Sequence, residues 1–156
     1  MSALLAGAAV SVAGCGAADH HTDGDRRGDV DGRSFELVST KADGNEWSFR
    51  ARGNSLWIGY VRDEDVGELG TIELDGRETA KLWDLIDNVD VGGRPKGKQD
   101  RRRGTITLRL REPDDDGGHD LRTAFVSRKT DDEDVLALID YLALLAQEHE
   151  HVEPSL

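Results

Sequence analysis

The chain of 156 residues carries 32 acidic against 20 basic side chains, a formal net charge of −12 with a pI near 4.7. That length is one domain's worth. The acidic balance sets nucleic acid and bare anionic membrane surfaces aside as default partners. A single cysteine excludes an internal disulfide.

Residues 3–14 are uncharged and mostly small or apolar. As a helix they would rise about 18 Å, short of the roughly 30 Å hydrocarbon core of a bilayer. The run therefore suits the apolar region of a signal peptide better than a membrane span. It ends in Val12-Ala13-Gly14-Cys15, which resembles the bacterial lipobox: an aliphatic residue, a small one, Gly or Ala, then Cys. The resemblance is confined to the first 16 residues or so. It implies a signal peptide over 1–14, cleavage before Cys15 and lipid attachment at Cys15. Two or three acyl chains give a stable anchor where one does not. Gly16, rather than Asp, follows the cysteine. In Gram-negative lipoproteins that pattern goes with the outer membrane, so the implied location is the cell envelope, facing the periplasm. The alternative is a soluble acidic domain with an uncleaved N-terminal helix and an inert Cys15.

Residues 15–33 read as the lipidated cysteine and a disordered tether, because Gly and Asp at this density favour turns and solvated chain. Eighteen flexible residues have an end-to-end distance of about 23 Å, enough to clear the lipid headgroups. Asp25, Asp29, Asp31 and Gly32 faintly resemble a calcium loop, but Arg26 and Arg27 interrupt it and no terminal Glu follows. The tripeptide Arg27-Gly28-Asp29 arises by chance in a chain rich in all three. His20 and His21 make only two ligands of a metal site.

Residues 34–156 read as one domain. Residues 34–39 and 46–51 alternate apolar with polar around a hairpin signal, Asp43-Gly44. Residues 55–61 and 69–74 are two further strands, separated by the charged stretch from Arg62 to Asp65 with Gly67. Leu82, Leu85, Ile86 and Val89 then fall at helical spacing. Asp75 and Glu78 offer a capping box, Gly92 and Gly93 a stop, and Trp83 a core edge. Residues 104–111 alternate cleanly, with Ile106, Leu108 and Leu110 facing a core and Thr105, Thr107, Arg109 and Arg111 facing solvent. Residues 121–127 are the partner strand. The last helix starts from the capping box Thr130–Glu133, lines Val135, Leu138, Ile139, Leu142 and Leu145 along one face, and stops before Pro154. The order β-β-β-β-α-β-β-α lacks βαβ alternation. It predicts an α+β domain with one antiparallel sheet of five to six strands and both helices on one face.

The domain offers little to an enzyme. The only thiol is committed to lipid, and no Ser-His-Asp pattern or phosphate loop stands out. His119 lies in a hairpin loop, and His149 and His151 fall at a frayed helix end. No cofactor is expected and no metal site is assigned. The candidates for one are Asp114, Asp116 and His119 of the acidic loop 114–120, which would support a metal-dependent envelope enzyme through oxygen ligands. A second feature stands out more. Arg94, Lys96, Lys98, Arg101, Arg102 and Arg103, opposed only by Asp100, give that segment +5 while the rest of the chain carries −17. Such a segment would grip an acidic protein or an anionic polymer; otherwise it is a flexible solvated loop. The reading of the whole is a lipid-anchored envelope protein acting as a non-catalytic binding or structural module.

Overall fold

The alternation of apolar and polar residues is realised as a six-stranded antiparallel sheet in a computed structural model of the chain, which describes residues 32–156. The expected signal peptide over 1–14, Cys15, His20, His21, Arg27-Gly28-Asp29 and the expected tether as far as residue 31 lie outside the described residues. The elements are β1 (Ser34–Thr40), β2 (Glu46–Arg52), β3 (Ser55–Arg62), β4 (Asp65–Glu73), α1 (Gly76–Val89), β5 (Thr105–Pro113), β6 (His119–Ser127) and α2 (Glu133–Glu150). This is the α+β architecture, in the expected order of strands and helices. Among the described residues, no helix is long and apolar enough to cross a membrane.

Strand order is β4-β3-β2-β1-β5-β6, so β1 is hydrogen-bonded on both edges. Period-two geometry places residues of one parity on one face. Leu37 stands opposite Phe49 and Leu108, Phe49 opposite Ile58, and Leu108 opposite Ala124. All five are fully buried. Both helices close over this row with Leu82, Ile86, Val89, Leu138, Leu142 and Leu145. Ser39 is the polar exception on the inner face, and its Oγ accepts from Nε of Arg128 at 3.0 Å.

Several local expectations change. The β3–β4 connection is only Asp63-Glu64, and β4 starts at Asp65, ahead of the charged stretch's end. Both turn residues take left-handed φ (51° and 72°) as a two-residue hairpin turn requires. Helix α1 keeps the Asp75–Glu78 capping box but ends on Asp90, not glycine, with φ 48°. Asp tolerates that conformation better than most residues. Trp83 is not a core edge: it is 3 % exposed, donates from Nε1 to the Gly53 carbonyl and is covered by Arg33. In α2 the N-cap is Asp132, whose carboxylate accepts from the Val135 amide, while the Thr130 hydroxyl accepts from the Asp132 amide. The helix end is tied down as well, because His149 Nε2 lies 2.8 Å from Glu78 of α1. Arg33, assigned to the tether, is instead held by Asp87 of α1 and Glu112 of β5.

On the outer face Glu36 of β1 is paired with Arg50 of β2 and Arg109 of β5. Partial burial opposes ionisation of Glu36, but the hydrogen bonds from Arg109 and Arg50 outweigh it and hold the carboxyl below its ordinary range. A carboxyl depressed in the folded state contributes stability above its unfolded pKa, and that contribution fades as pH falls through the folded value. Between about pH 5 and pH 3, Glu36→Gln is therefore expected to lose less thermal stability than wild type. Parallel melting curves of the two proteins across that window would refute the pairing as a source of acid sensitivity.

Candidate functional site

The basic segment is attached to the domain at several points. After α1, Arg94 turns back: its Nε donates to the Val89 carbonyl at 2.8 Å and its Nη1 to Asp132 at 3.1 Å. Arg94 thus ties the C-terminus of one helix to the N-cap of the other, and it leaves the group of candidate binding cations. The chain next runs along the free edge of β6, where the Phe125 amide donates to the Lys96 carbonyl at 2.7 Å. Gly97, with φ 70°, allows this approach, because a Cβ there would fall on the Phe125 carbonyl oxygen.

Asp100 then organises the turn into β5. Its Oδ1 accepts from the amides of Arg102 and Arg103 at 3.1 and 3.0 Å, and its Oδ2 accepts from the Ser127 hydroxyl at 2.9 Å. Its own amide donates to Thr105 Oγ1 at 2.8 Å. The Arg103 amide, then the Ser127 hydroxyl, hold this carboxyl below its ordinary range, so it stays ionised near neutrality. With the backbone and Asp100 making the attachments, Lys96, Lys98, Arg101, Arg102 and Arg103 are left exposed. None of the five pairs with a carboxylate among the described residues.

Folding adds residues that the sequence did not connect with this segment. β5 pairs with β1 so that Thr40 stands opposite Thr105 and Val38 opposite Thr107. The arm from Gln99 to Gly104 therefore lies against the β1–β2 connection, and a cavity of about 290 Å³ opens between them. Lys41 and Arg101 both line it, with Gln99, Thr40, Thr105 and Thr107. Thr105 and Thr107, expected on a solvated face, are buried at 7 % and 8 % exposure, since the arm rests on that corner of the sheet. The register alone would signal the Thr40–Thr105 neighbourhood; nothing local to Lys41 or Gln99 does.

The acidic loop lies at the other end of β5 from the arm. Asp114 folds onto its own loop, Oδ1 accepting from the Asp116 amide at 3.1 Å and the Gly118 amide at 2.6 Å. Asp116 and His119 are exposed. Among the described residues no group of three or more His, Cys, Asp or Glu is placed to hold a metal ion. No protein-family model matches the chain, and no curated protein is similar to it.

Gly104 fixes the wall of the cavity. Its φ is 88°, and a Cβ there would lie 2.6 Å from the Thr40 carbonyl oxygen and 3.2 Å from the Lys41 Cα. Gly117, with φ 81°, has nothing within 4 Å of that position. Gly104→Ala is expected to cost about 2–4 kcal/mol, combining left-handed strain with overpacking against backbone. Gly117→Ala is expected to cost only the backbone part, about 1–2 kcal/mol. Urea unfolding measures both, and equal losses would mean the arm does not seat against β1 as described.

Proposed function

We propose that the protein is a non-catalytic binding module of the bacterial cell envelope, anchored by lipid on Cys15, that holds an anionic partner on the arm 96–103. One observation carries the binding half: five exposed cations on an arm fixed by backbone hydrogen bonds, none paired with a carboxylate among the described residues. Here the acid at hand, Asp100, is spent on amides and a hydroxyl. A concentrated positive patch on a negative body orients an anionic partner as it approaches and leaves the rest of the surface repulsive. The anchoring half rests on the Val12-Ala13-Gly14-Cys15 motif.

The binding half is tested on a carboxymethyl matrix at pH 7 and low salt, where screening is weak. The Cys15→Ser chain is expected to be retained despite its net charge, and to elute as salt rises. The additional changes Arg101→Ser, Arg102→Ser and Arg103→Ser should move it to the flow-through. Flow-through of both proteins overturns the binding reading. For the anchor, Cys15→Ser is expected to abolish metabolic lipid labelling and membrane fractionation in a bacterial host; unchanged labelling defeats it.

A further inference from the structure

We infer that the cavity between Lys41 and Arg101 is a subsite for one acidic sugar unit of an anionic polysaccharide, an inference that rests on the arm being the binding surface. The first ground is charge. Lys41 and Arg101 both line the cavity, and the carboxylates beside them, Asp100 in the lining and Glu46 behind Thr40, have their oxygens engaged by other groups of the protein. A carboxylate or other acid group entering here meets two cations, one of them a planar fork of donors suited to bidentate pairing.

The second ground is the neutral lining. Thr105 Oγ1 already accepts from the Asp100 amide, which leaves its hydroxyl hydrogen free to donate. Thr40 Oγ1 donates to Glu46, which leaves its lone pairs free to accept. The Thr107 hydroxyl and the Gln99 amide have no protein partner among the described residues, and each both donates and accepts. Sugar hydroxyls also donate and accept at each oxygen, so this lining matches a polyhydroxylated ring. A carboxylate side chain of an acidic peptide only accepts, so it would meet the donors among these groups and none of the acceptors.

Size and continuity complete the case. A cavity of about 290 Å³ has room for one sugar ring. Lys96, Lys98, Arg102 and Arg103 flank the lining residues Gln99, Asp100 and Arg101 along the same arm, so neighbouring acid groups of a polymer have cations to meet. Trp57 on the same sheet face offers no alternative sugar platform. Its ring lies over Gly59 and beneath the Arg50 guanidinium, 4.7 Å from the ring centre, and its Nε1 is bonded to Glu68.

Titration calorimetry of the full-length Cys15→Ser chain with defined probes tests this. Trigalacturonate is expected to bind at least about tenfold more tightly than triglutamate, which has comparable charge but no ring hydroxyls. Gln99→Ala and Thr107→Val are each expected to weaken trigalacturonate by about three- to tenfold while leaving triglutamate unchanged. Dextran, neutral but hydroxylated, should give no heat. Equal affinity for the two acidic probes, indifference to both cavity variants, or tighter binding to phosphatidylglycerol vesicles would each overturn the subsite. Carboxymethyl retention read on the same preparations separates the two levels. If retention persists, only the sugar subsite has failed; if it is absent, the arm itself is not a binding surface.

Discussion

Strand β1 is the member on which the other elements depend. It is paired along its full length with β2 on one edge and β5 on the other, and it sends Phe35 and Leu37 into the core. A slip of one residue on either edge would turn an inner face toward solvent and bury Glu36 instead. The Glu36 carboxylate between Arg50 and Arg109 repeats the same register on the outer face, since these three residues are direct cross-strand partners. Apolar burial and charge pairing therefore specify one alignment twice over. Burial carries the larger share of the energy: a fully buried large aliphatic or aromatic side chain contributes about 1.5–3 kcal/mol, whereas exposed pairs contribute about 1 kcal/mol or less.

That alignment has a topological consequence. β4 is an edge strand, yet the next strand, β5, lies across the sheet beside β1. The chain must cross the inner face as α1 and then travel to the far edge before turning back. The arm is what this path requires, and its fixed points are few: Arg94 at the helix ends, Lys96 on β6, Asp100 at the turn and Gly104 against β1. Only Arg94 uses a cationic side chain to build the connection. The cavity between Lys41 and Arg101 follows from β5 pairing with β1, which sets Thr40 directly across from Thr105.

The strands and helices were legible in the sequence because each carries its own periodicity. Ile106, Leu108 and Leu110 announce an inward face without reference to any other segment, and Leu82 with Ile86 does the same for α1. Boundaries were less legible where polar residues do structural work. Arg62 and Asp65 looked like loop but close a hairpin, and Thr130 looked like a cap although Asp132 two residues later takes that role. The +5 segment was visible as charge, but its attachments were not. Phe125, Ser127 and Thr105, which hold it, are either remote in the chain or carry an ordinary strand pattern. Lys41 entered the site only through strand order, which alternation does not encode.

The placement of charge on the arm bears on why it exists. Arg101, Arg102 and Arg103 are consecutive and exposed, and like charges held near one another repel. Folding alone gains nothing from that repulsion, and it could be relieved by spreading the cations among the acids that surround them. Instead the attachments are made by amides, a threonine hydroxyl and Asp100, whose ionised carboxylate partly offsets the local positive charge. The cationic side chains are thereby left out of the structural contacts, and the arm's attachments do not depend on them. A surface prepared in this way loses little conformational freedom in its backbone on binding, so the anion it meets is opposed mainly by side-chain ordering and desolvation. Arg94 shows the contrast within one segment: the same residue type, half-buried and paired with Asp132, belongs to the scaffold, while its neighbours along the arm are exposed.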